Sequence, residues 1–131
     1  MRRGPRRAAA LVGAACAGPP LIAGAADPDA GARAFQKCYA CHSIEPGETG
    51  TPGPNLRGVV GRPAGAVEGF AYSEAMIGAG RERGLVWTEE TLDAFLADPE
   101  TYLPGTWMSA VGLTDRAERA AVIDYLEGFA D

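Results

Sequence analysis

The chain has 131 residues, 17 of them acidic, 12 basic and one His, for a net charge of −5; 47% are apolar. Acidic composition excludes a nucleic-acid binder, which needs clustered Lys and Arg to neutralise phosphates, and no run of 18 or more uninterrupted apolar residues exists to build a multi-pass membrane protein. One His and three Cys exclude a metal site that needs several imidazoles.

Arg2, Arg3, Arg6 and Arg7 open the chain, and no acid occurs before Asp27. The small apolar stretch Ala8 to Ala26 ends in Ala23-Gly24-Ala25-Ala26. A basic start, an apolar middle and a small-residue end predict a secretory signal peptide over 1–26, cut after Ala25 or Ala26. Pro19 and Pro20 count against a retained anchor, because a spanning helix must satisfy its own backbone. Gly13 counts against lipidation at Cys16, since a lipoprotein site wants a larger apolar residue there. Removal leaves one domain, 27–131, with 8 basic and 17 acidic side chains and hence a charge of −9. It keeps one Lys, Lys37, and two cysteines, Cys38 and Cys41. A chain this short buries a thin core, so the fold needs a further source of stability.

Asp27-Pro28-Asp29 is a helix-start signal, and Ala30, Ala34, Phe35 and Cys38 follow at helical spacing, which predicts a first helix over 28–40. Residues 43–71 hold seven Gly and four Pro and no sustained period, so they read as a long loop. Ser73 caps a short helix over 74–79, and Arg81 to Gly84 is a polar loop. Thr88 caps a helix with Glu89 and Glu90 in its first turn and Leu92, Phe95 and Leu96 on its apolar face. Asp98-Pro99 ends that helix, and Tyr102 to Met108 form a second loop. Thr114-Asp115 start the last helix, with Val122, Ile123, Leu126 and Phe129 as its buried stripe. The expected class is all-α, with three or four helices and two long loops that need an apolar object to wrap.

Cys38-Tyr39-Ala40-Cys41-His42 supplies that object, because it is the attachment pattern of a c-type haem. Two thiols three positions apart can bond the two vinyl groups of one porphyrin, and the next residue offers its imidazole to the iron. A zinc site wants four ligands, a thioredoxin-like pair wants a βαβ context, and a plain structural disulfide leaves the His without a purpose. With no second His, the sixth ligand falls to a Met, which suits electron transfer. Met76 and Met108 remain after processing. Met108, in a Pro-Gly-Thr loop, is the expected ligand, and Met76 the expected apolar neighbour.

The sequence resembles class I cytochromes c of the c2 or c550 type, which are close to mitochondrial cytochrome c. The resemblance covers about 31–129. It rests on Gly31 and Phe35, Cys38 to His42, Gly53-Pro54-Asn55-Leu56, Gly61-Arg62, Gly69-Phe70-Ala71-Tyr72, Trp87 to Leu92, Pro104-Gly105-Thr106 before Met108, and Tyr125-Leu126. It implies that Gly31, Phe35, Tyr125 and Leu126 sit where the first and last helices cross. It implies that Pro54 accepts the proximal imidazole N–H, and that Arg62, Tyr72, Trp87 and Thr106 contact the haem propionates. It also implies one covalent haem c on Cys38 and Cys41, with His42 and Met108 on the iron.

The departures are specific. Phe95 and Met76 stand where the family has Tyr and Asn, which predicts a drier distal side. Trp107 stands in place of a Lys and Ala110 in place of a Phe beside the haem edge, and about four residues are added around 77–84. The family's ring of lysines is missing. The expectation is therefore a monomeric periplasmic one-electron carrier, not an enzyme, that serves respiratory or other redox proteins with a basic or apolar docking face. A haem enzyme or gas-binding protein with a labile Met, and a membrane-tethered carrier, are the alternatives.

Overall fold

The computed structural model describes residues 27–109 and 112–130, together with 4, 9–10 and 13–18. The cleavage site expected at Ala25 or Ala26, most of the 1–26 segment and Ala110 lie outside the described residues. Among the described residues five helices follow in order: α1 (Ala30–Phe35), α2 (Glu74–Arg81), α3 (Glu89–Ala97), α4 (Pro99–Tyr102) and α5 (Arg116–Glu127). Among the described residues there is no strand, only one antiparallel bridge between Pro63 and Val86. No described helix is long and apolar enough to cross a membrane.

The first helix is shorter at both ends than its sequence predicts. The Asp27 carboxylate accepts the Asp29 N–H at 2.9 Å, so Pro28 and Asp29 form a turn before the helix. Beyond Phe35 the N–H groups of Gln36, Lys37 and Cys38 bond three residues back rather than four. The chain tightens there, and the turn ends with Cys41 and His42 both donating to the Cys38 carbonyl.

α1 and α5 cross at Gly31. A Cβ there would lie 2.5 Å from both the Ala121 carbonyl oxygen and the Tyr125 Cβ. Phe35, fully buried, packs between the Tyr39 and Tyr125 rings at 4.8 and 5.6 Å. Lys37 pairs with Glu118 across the same two segments.

Side-chain caps set most helix starts. Ser73 Oγ accepts the Met76 N–H at 3.2 Å to begin α2. α2 runs two residues further than expected and takes in Arg81, which absorbs part of the added segment as helix. Thr88 and Thr91 cap each other's N–H groups at the start of α3. Asp115 accepts from Ala117 and Glu118 to start α5. Asp98-Pro99 does end α3, but it also starts α4, with Asp98 accepting the Thr101 N–H and Pro99 in the first turn. The sequence reading missed α4 because one dipeptide performs both jobs. Core side chains from separate segments, Val59, Trp87, Leu92, Phe95 and Val122 among them, then close around a large cavity.

Candidate functional site

The cavity measures about 500 Å³. It draws Cys38, Cys41, His42, Pro54, Arg62, Tyr72, Trp87, Thr106 and Met108 together from segments up to 70 positions apart. The rest of its wall is mainly apolar, with Leu56, Leu92, Phe95, Leu96, Val122 and Leu126 among its side chains. Among the described residues no carboxylate lines it, and Lys37 and Arg62 are its only basic side chains.

His42 is held on two sides. Its Nδ1–H donates to the Pro54 carbonyl at 2.8 Å, which leaves the lone pair on Nε2. Burial lowers the imidazole pKa, and the bond to Pro54 offsets only part of that effect. The ring is therefore neutral at pH 7, the form that ligates a metal. Gly53 donates its N–H to the Cys41 carbonyl at 2.6 Å. A Cβ on Gly53 would sit 2.4 Å from His42 Cε1 and 2.6 Å from Nδ1. Gly53 is a site residue whose reason the sequence could not give: it stood in a motif, but nothing in its neighbours says that a ring lies against it.

Cys38 is half-buried and Cys41 exposed. Burial pushes the Cys38 thiol pKa up, helped by the charge of Glu118 and opposed by Lys37.

The other predicted residues are tied into the wall by hydrogen bonds. Arg62 Nη1 donates to the Asn55 carbonyl at 2.9 Å and Nη2 to the Arg57 carbonyl. Tyr72 accepts the Val67 N–H at 3.1 Å, and burial raises its pKa, so it remains a neutral phenol. The Trp87 ring lies 5.0 Å from Phe95, and its backbone N–H donates to the Arg62 carbonyl at 2.9 Å. Buried Thr106 accepts the Met108 N–H at 3.3 Å and donates its own N–H to Leu103 at 3.0 Å. Met108 is half-buried, and Met76 and Phe95 line the same cavity. Trp107 also lines it, yet is 70% exposed.

An apolar cavity of this size, with two thiols and a neutral imidazole on one tight turn, fits a porphyrin bound through thioethers. The arrangement is that of an all-α protein with one c-type haem. A family model described as Cytochrome c matches residues 28–129. The chain is 45% identical over 105 residues to cytochrome c2 of Rhodoblastus acidophilus, covering 80% of this chain and 94% of that one. It is 46% identical over 93 residues to cytochrome c2 iso-2 of Magnetospirillum molischianum, covering 71% and 91%. The solved structure of cytochrome cH from Methylobacterium extorquens matches with a TM-score of 0.70 at 39% identity, over 78% of this chain and 98% of that chain. The chain belongs to the cytochrome c family. It is an electron-transfer protein rather than an enzyme, with one covalent haem c and with Cys38 and Cys41 spaced to hold it.

Proposed function

We propose that the chain is exported through residues 1–26 and works as a soluble, monomeric periplasmic carrier with His42 and Met108 as the axial ligands of its iron. The observation that carries this reading is the shared cavity, where His42 and Met108 join the Cys38–Cys41 turn inside an apolar wall. The haem supplies one-electron cycling between Fe(III) and Fe(II). The residues do the rest. Pro54 orients the imidazole and raises its basicity. Thr106 fixes the backbone at Met108. Leu92, Phe95, Val122 and Leu126 exclude water, which keeps reorganisation small. Arg62, Tyr72, Trp87 and Thr106 offer the donors that a buried propionate requires.

The same reading assigns the docking face to the cavity mouth. Exposed Trp107 supplies an apolar contact there. The charge of −9 on residues 27–131 favours a redox partner with a basic or apolar surface.

Substitution of each Met tests the ligand assignment. Met108→Leu is expected to abolish the long-wavelength absorption of Met-ligated Fe(III) and to open the reduced protein to carbon monoxide. Met76→Leu is expected to leave both unchanged. The opposite pattern would move the ligand to Met76.

A further inference from the structure

Arg119 lies on α5 outside the cavity, and its side chain is only 11% exposed. It bonds to α3 and to the two residues that precede the cap of α5. Its Nε donates to the Asp93 carboxylate of α3 at 2.7 Å. Its Nη1 donates to the Leu113 carbonyl at 2.7 Å and to the Thr114 carbonyl at 3.2 Å. Val122, one helical turn along α5, lines the cavity, as do Leu92 and Leu96 on either side of Asp93 and Leu113 itself.

Met108 precedes Leu113 and Thr114 by five and six positions, so these bonds fix the chain downstream of it. Its near anchor is Thr106, bonded to Leu103. Its far anchor is Leu113, whose N–H donates to the Leu96 carbonyl at 2.8 Å. Gly112 packs tightly on the end of α3, since a Cβ there would lie 2.0 Å from the Ala97 carbonyl oxygen. Both carbonyls that follow this anchor are taken by Arg119. The planar guanidinium can serve a carboxylate and two carbonyls at fixed angles, which an ammonium cannot do.

We propose that Arg119 is a positioning residue: it latches the far end of the Met108 segment to α3 and α5, and so sets how readily the iron's sixth position opens. The inference rests on the reading of Met108 as a ligand. Losing a part-buried cation leaves two carbonyls and a carboxylate without their partner, enough to shift the opening equilibrium of the segment by about tenfold or more.

The test uses the haem-loaded protein secreted from a host that attaches c-type haem. In Arg119→Leu, the reduced form is expected to bind carbon monoxide at least about tenfold faster than the unsubstituted protein. The long-wavelength Met–Fe(III) band is expected to weaken, and the amides of 107–109, 112 and 113 to exchange hydrogen faster. Arg119→Lys is expected to recover only part of each change. Unchanged binding, band and exchange in a folded Arg119→Leu protein would overturn the proposal. So would a fall in melting temperature with those three readouts unmoved, because a merely structural role predicts that pattern. If Arg119→Leu does not accumulate, Arg119→Lys decides: behaviour like the unsubstituted protein there rejects the latch. If the unsubstituted protein itself binds carbon monoxide at once and lacks the band, the ligand reading has failed, and hydrogen exchange alone decides whether Arg119 holds the segment.

Discussion

His42 shows how the site depends on single atoms. Its ring is fixed by the Pro54 carbonyl on one nitrogen and by the bare Cα of Gly53 against its edge. Gly53 does not have a positive φ, so its role is space rather than backbone freedom. Gly53→Ala is expected to displace the ring, weaken the bond to Pro54 and destabilise the protein by about 1–3 kcal/mol. Thermal unfolding of the haem-loaded protein measures this, and a change within about 0.5 kcal/mol, the usual range at a neutral surface site, would contradict it. The Cys38-to-His42 pattern was plain in the sequence because its five residues are consecutive. The contact between Gly53 and His42 was not, because the two are eleven positions apart and only the folded loop brings them together. Arg119 was invisible for the same reason: its partners Asp93, Leu113 and Thr114 meet only in three dimensions.

At the scale of the elements, legibility followed the caps. Ser73, Thr88 and Asp115 each accept a backbone N–H at a helix start, and those starts were readable from the sequence. The end of α1 was not, because its tightening serves the Cys38–His42 turn rather than any helix-stop residue. α4 depends on one cap. Asp98 accepts the Thr101 N–H at 3.1 Å and the Thr101 hydroxyl at 2.7 Å, and these bonds hold its pKa below the ordinary carboxylate value, the hydroxyl bond most of all. A carboxylate whose pKa is lowered on folding stabilises the fold above its unfolded pKa, and that contribution disappears as pH falls through the lower, folded value. Asp98→Asn cannot titrate. The unsubstituted protein is therefore expected to melt higher than Asp98→Asn at pH 7, and the gap is expected to narrow on acidification below about pH 4. A gap that stays constant or widens would contradict this role for Asp98.

For the whole molecule, charge and shape are divided between different regions. Among the described residues no carboxylate lines the cavity wall, while exposed Trp107 and Lys37, which is paired with Glu118, do. The net charge was legible as a sum, but its exclusion from the cavity was not, because lining residues come from separate segments of the fold. The charge acts at long range. Electron exchange with the cationic hexaammineruthenium complex is expected to slow as ionic strength rises from about 10 mM to about 150 mM, where the screening length falls from about 30 Å to about 8 Å. Exchange with anionic hexacyanoferrate is expected to quicken over the same range. The reverse pattern would mean that the mouth presents a positive field. The central claim is that a covalent haem sits in this cavity between His42 and Met108. Its most direct test is the absorption spectrum of the exported protein, oxidised and reduced, with and without carbon monoxide. The account predicts the bands of a doubly thioether-linked haem, the weak long-wavelength band of Met-ligated Fe(III), and a reduced spectrum that carbon monoxide leaves unchanged. Attached haem without the Met band, and with carbon monoxide bound readily, would contradict it and would favour a gas-binding or catalytic role.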